Sequence, residues 1–115
     1  MAILNDVKRR LNIPEEVTDF DLDIIDHINN AFFAIWQMGI PRPGERPYAI
    51  TGAENEWSEF TGEADDLEPI KTYVYLKTRL VFDPPASSAA VEAIKERLAE
   101  TEWRLYINED TKRLE

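Results

Sequence analysis

The chain has 115 residues, no cysteine and a formal net charge of −10. A chain of that length suits a single domain, 1–115, with a core of its own. The missing thiols exclude disulfides, thiol nucleophiles and cysteine metal sites, and the acidity argues against a broad surface for nucleic-acid phosphates, whose affinity comes from Lys and Arg.

Residues 2–12 predict a short helix, with Ile3, Leu4, Val7 and Leu11 on one apolar face and Lys8, Arg9 and Arg10 on a solvated face near its C-terminal end. The early charges of this segment do not suit a signal peptide. No apolar run approaches the ~20 residues of a membrane span, so the expectation is a soluble, non-secreted protein with no membrane partner. Asn12-Ile13-Pro14 stops the first helix. The second is expected over 18–38, with Thr18 as N-cap, Asp21 as its capping-box partner, Val17 and Leu22 as a hydrophobic staple, and Gly39 as stop. Its core face is Phe20, Ile24, Ile25, Ile28, Ala31, Phe32, Ile35 and Met38, and Phe33 and Trp36 fall outside or at the edge of that arc. Asp19, Asp21 and Asp23 alternate as in a calcium loop, but Ile24 stands where such a loop needs Gly and Asn30 where it needs Glu. His27 is the single histidine and reads as a boundary residue.

Residues 40–66 hold three of the seven prolines and three of the four glycines. A loop this long in a compact domain is usually functional or mobile. Tyr48–Thr51 and Glu56–Phe60 can pair as a short hairpin, or Trp57 and Phe60 can pin the loop to the core; the pattern leaves both open. Arg42, Arg46, Tyr48, Trp57 and Phe60 are the candidate docking residues of this loop. Acidity concentrates between residues 13 and 70, whereas 71–83 carries three basic residues against one acidic.

The third helix is expected over 67–82, with Asp66 as N-cap, Pro69 in the first turn, and Ile70, Tyr73, Val74, Leu76, Leu80 and Val81 facing the core. Lys77 lies within that face, which predicts snorkelling or a carboxylate partner. Tyr75 and Phe82 project from another side. Asp83-Pro84-Pro85 then forms an elbow, because proline cannot continue the hydrogen-bond ladder and holds its predecessor out of helical space. Ser87 and Ser88 offer N-caps for the last helix, 88–107. That helix has an inward row, Val91, Ile94, Leu98, Thr101 and Leu105. It has a second row, Ala99, Trp103 and Ile107, on the far side. One small domain covers one stripe, so this second row asks for a partner. Residues 108–115 are charged and unpatterned and predict a frayed tail.

The expected fold is thus mainly α, a bundle of about four helices with a long loop. The sequence shows no Gly-rich phosphate loop, nucleophile elbow, HExxH motif or repeat. The reading is not an enzyme, with no cofactor, no metal and no catalytic residue. Aromatic residues outside the main stripes mark interfaces instead: Trp36, Tyr75, Phe82, Ala99, Trp103 and Ile107 are the candidate contacts for self-association or a partner.

The run YVYLKTRLVFDPPASS (Tyr73–Ser88) followed by EWRL (Glu102–Leu105) resembles the head–tail connector (adaptor, or head-completion) proteins of long-tailed phages and prophages. The DLDIIDHIN segment (Asp21–Asn29) and Trp57-x-x-Phe60 are similar too, so the resemblance spans about residues 18–107. It implies a structural virion component at the neck, made in the host cytoplasm. It also implies a helical subunit of a ring, usually of twelve copies. Such a ring sits beneath the portal protein, extends the DNA channel without sequence-specific binding, and docks the next head-completion (stopper) or tail protein. The residues themselves leave a second reading open, an acidic protein-binding module of the inhibitor or DNA-mimic type.

Overall fold

A computed structural model describes residues 2–37, 48–61 and 67–114, the side chains of 60, 61, 67 and 106–114 excepted. Over these the protein is helical: α1 Ile3–Arg10, α2 Asp21–Gln37, α3 Trp57–Thr61, α4 Leu67–Phe82 and α5 Ser88–Leu114. The expectation of a mainly α bundle holds, with one short helix more than the sequence predicts.

α4 is the central element. It packs against α2 on one side and α5 on another, while α1 touches both α2 and α4. The start of α2 meets the end of α4, since the Phe20 and Phe82 rings lie 5.7 Å apart edge-to-face; the two helices therefore run antiparallel. α4 and α5 form a second antiparallel pair about the elbow, and the Tyr73 hydroxyl donates to Glu102 Oε1 at 3.2 Å. One contiguous core joins Ile3, Val7, Ile28, Phe32, Val74 and Leu98. The inward row of α5 is as predicted: Leu98 and Leu105 are buried and Val91, Ile94 and Thr101 are half-buried.

α1 ends in a tight left-handed cap. Asn12 has φ of 62°, its N–H bonds the Arg9 carbonyl, and the Ile13 N–H reaches back to Lys8 at 2.9 Å. Asparagine tolerates this backbone better than most residues.

Lys8 is a correction to the solvated basic face. It is 1% exposed. Its ammonium donates to the carbonyls of Glu15 (3.0 Å) and Val17 (2.6 Å) and pairs with Asp21 Oδ1 at 2.9 Å. That pairing also explains why α2 starts later than predicted. The Asp21 carboxylate is occupied by Lys8 rather than by a capping box at Thr18, whose carbonyl instead accepts the Asp21 N–H in a preceding turn. The Val17–Leu22 staple is not made; Leu22 is exposed.

The loop makes no hairpin within its described part. Asn29 offers its side-chain amide as a one-residue strand: Ile50 N–H donates to Asn29 Oδ1 (2.8 Å) and Asn29 Nδ2 donates to the Ile50 carbonyl (3.1 Å). The 57–61 segment is helical, not extended. Glu59 accepts the Glu56 N–H at 2.7 Å, half of a capping box, and Trp57 is buried with its ring 6.0 Å from Phe32. A single antiparallel bridge, Ala2 to Glu56, ties this turn to the start of α1. At the other end of the chain, α5 runs on through the charged residues to Leu114, where composition predicts fraying. The Gly39 and Asp66 caps fall outside the described residues.

Candidate functional site

The chemistry of this surface is apolar and electrostatic. Among the described residues no group of His, Asp or Glu side chains is placed to hold a metal ion, and no helix is long and apolar enough to cross a membrane.

The outer face of α2 carries the first uncovered aromatics. Phe33 and Trp36 stack at 5.6 Å with 45% and 39% of their surface open to water. The outer face of α5 carries the second: Trp103 is 64% exposed one turn after exposed Ala99. Helical phase places Glu92 and Glu96 on that same stripe, both exposed. Glu92 is paired with Lys95 at 3.6 Å. The Ile107 side chain, next in the row, is outside the described residues.

A third apolar surface lies where the end of α4 meets α2. Val81 is 63% exposed, a correction to its predicted place in the core. Beside it a cleft of about 220 Å³ is lined by His27, Asn30, Ala31, Lys77 and Val81. Phe82 is half-buried between Phe20 and the His27 ring, 6.3 Å away, so its exposure is partly satisfied within the chain. Lys77 snorkels out of the apolar row, with its ammonium 5.7 Å above the Tyr73 ring. A lysine inside an apolar row is the sequence signal that the row leaves the core there, and it could have flagged Val81.

Other predicted site residues are placed differently. Tyr48 and Trp57 are core residues, which takes their side chains away from a docking surface; of the two readings of Trp57, pinning is the one observed. Arg42 and Arg46 and the Phe60 side chain lie outside the described residues. Tyr75 is half-buried against the core, and its hydroxyl accepts from Arg79 at 3.0 Å.

The elbow is built as its sequence dictates. The Asp83 N–H makes the last helical bond, to Arg79 at 3.0 Å, and the two prolines that follow cannot extend the ladder. Pro84 is exposed and Pro85 half-buried. Ser87, rather than Ser88, is the N-cap of α5: its Oγ accepts from the Ala90 N–H at 3.3 Å and its carbonyl accepts from Val91.

One buried acid and one buried hydroxyl set the local electrostatics. Burial alone would raise the Asp6 carboxyl, but hydrogen bonds from Arg9 and Trp57 and the charge of Arg10 outweigh it and hold Asp6 below the ordinary carboxylate range. The Tyr73 phenol is pushed up, first by burial and then by the Glu102 carboxylate it donates to. Both residues are 1% exposed, so both belong to the scaffold. Nothing in the local residue pattern points to either pairing.

Set against known proteins, the chain is matched over residues 3–112 by the family model described as phage connector protein. No curated protein and no solved structure matches it. The match covers nearly the whole chain, including the elbow and both uncovered helix faces, and the chain therefore belongs to the phage connector protein family, a family of phage structural proteins.

Proposed function

We propose that this chain is one subunit of an adaptor ring at the head–tail junction of the virion, joining the portal protein to the next head-completion or tail protein and extending the DNA channel. The observation that carries the reading is the pairing of family membership with aromatics left uncovered on two different helices, Trp36 on α2 and Trp103 on α5. A lone subunit gains nothing from solvent-facing tryptophans, whereas such residues anchor interfaces. The single domain 1–115 is then the ring's repeating unit, with twelve copies as the resemblance implies.

The net charge of −10 supports the same reading. A channel wall poor in Lys and Arg offers no phosphate contacts, so DNA slides through instead of being held. Arg42 and Arg46, on the 40–62 segment, are proposed to meet an acidic neighbour.

Size-exclusion chromatography with light scattering, on concentrated protein with and without the cognate portal, tests the proposal. Oligomers in either condition are expected. A chain that stays monomeric and does not co-elute with the portal overturns it. Self-association only in the portal's presence agrees with it, because mass action on a partner can supply what a weak subunit contact lacks.

A further inference from the structure

Two of the three unpartnered surfaces, the outer face of α5 and the α2–α4 junction, differ in shape and charge in a way that makes them complementary. On α5, Trp103 projects from a stripe that carries Glu92, Glu96 and Ala99, and among the described residues Glu96 makes no ion pair, whereas Glu92 and Glu100 do. Between α2 and α4, the cleft has room for one aromatic side chain. Its floor is Ala31, its wall is the exposed Val81, and its rim carries Lys77 and His27, with Asp26 the adjacent carboxylate on α2. Residues 71–83 carry a net charge of +2, as residues 1–12 do, whereas the chain as a whole is acidic. We infer that Trp103 of one copy seats in the α2–α4 cleft of the next, with Lys77 of the second copy facing Glu96 of the first.

This rests on the ring reading and specifies the contact that closes it. The indole supplies the apolar area and a face for the Lys77 ammonium. Glu96 supplies the charge that fixes register and disfavours the reverse orientation. The contact joins two different patches, so it is head-to-tail. Head-to-tail contacts generate rings or filaments, whereas a patch that meets itself stops at a two-fold dimer.

The absence of native cysteine makes the test direct. Ala99→Cys and Asn30→Cys chains are prepared separately, and both positions are exposed. When mixed under oxidising conditions, at concentrations or on the portal where the protein oligomerises, they are expected to form a disulfide-linked dimer that neither forms alone. Trp103→Ala is expected to weaken self-association at least tenfold with unchanged monomer melting, since its ring is mostly in water. Lys77→Glu is expected to do the same, and adding Glu96→Lys to that chain to restore assembly. A dimer from Ala99→Cys alone shows a two-fold contact and overturns the inference. Oligomers that form normally with Trp103→Ala, without the mixed cross-link, overturn it and leave the ring standing. Loss of portal capture by Trp103→Ala with self-association intact assigns Trp103 to the partner and also overturns it. A wild-type chain monomeric in every condition, portal included, removes the ring and this contact together.

Discussion

Trp57 Nε1 donates to Asp6 Oδ2 at 3.0 Å across fifty-one residues of sequence. The bond fastens the central segment to the first helix, and it is buried. Asp6 spends its other oxygen on Arg9 at 2.7 Å and Arg10 at 3.4 Å. One carboxylate therefore satisfies the indole of α3 and pairs with two of the three consecutive cations of α1.

Asp6→Asn is expected to lower stability at neutral pH by about 1.5–3 kcal/mol, the scale of hydrogen bonds to a charged group. Because Asp6 is held below its ordinary range in the fold, its contribution is present above an unfolded value of about 4. It is lost as pH falls through the folded value. Urea midpoints of wild type and Asp6→Asn should converge as pH drops from 6 to about 2.5; a gap constant with pH would show that Asp6 acts by shape, not charge.

Lys8 plugs the turn between α1 and α2. Lys8→Met keeps much of the stem but leaves two carbonyls without a donor and Asp21 without its cation. The expected loss is about 3–5 kcal/mol, and Lys8→Met with Asp21→Asn should lose less than Lys8→Met alone. Chemical denaturation of the three proteins checks both statements.

Tyr73 ties α4 to α5 through Glu102. Its pKa is raised in the fold, so its stabilisation is complete below an unfolded value of about 10. It is lost as pH rises above that value, where the unfolded chain ionises first. Wild type should lose more stability between pH 8 and 11 than Tyr73→Phe does, because the lysines titrate in both. Equal losses would remove the Tyr73 phenol from the account.

Thr78 is fully buried on α4, and among the described residues its hydroxyl has no hydrogen-bond partner. An unsatisfied buried hydroxyl costs about 1–3 kcal/mol, and an apolar replacement of the same shape avoids it. Thr78→Val is therefore expected to raise the thermal midpoint by several degrees, a scale set by the entropy of unfolding of a domain this size. A lower midpoint would mean that the hydroxyl has a partner.

Legibility in the sequence followed the range of the interaction. The cores of α1, α2, α4 and α5 are plain in their apolar periodicity, and the inward row of α5 is buried at Leu98 and Leu105 and half-buried elsewhere, as its 3-4 spacing predicts. The elbow is equally plain, since proline acts on its own backbone. Misreadings came where a distant group intervened. Thr18 and Asp21 form a good capping box by spacing, but Lys8 competes for the same carboxylate. Glu56–Phe60 alternates like a strand, but Asn29 had already taken the Ile50 amide and carbonyl, and Trp57 had to reach Asp6.

By itself the sequence determined the four longer helices, the elbow and the surplus row at Trp103, because propensity, periodicity and proline act within a turn or two of chain. Only the tertiary structure decided which carboxylate holds Lys8 and Asp6's partners, and that Tyr48 and Trp57 lie inside. It also decided that Val81 stays outside. Those outcomes depend on burial and on competition between groups far apart in the chain, and local pattern carries neither.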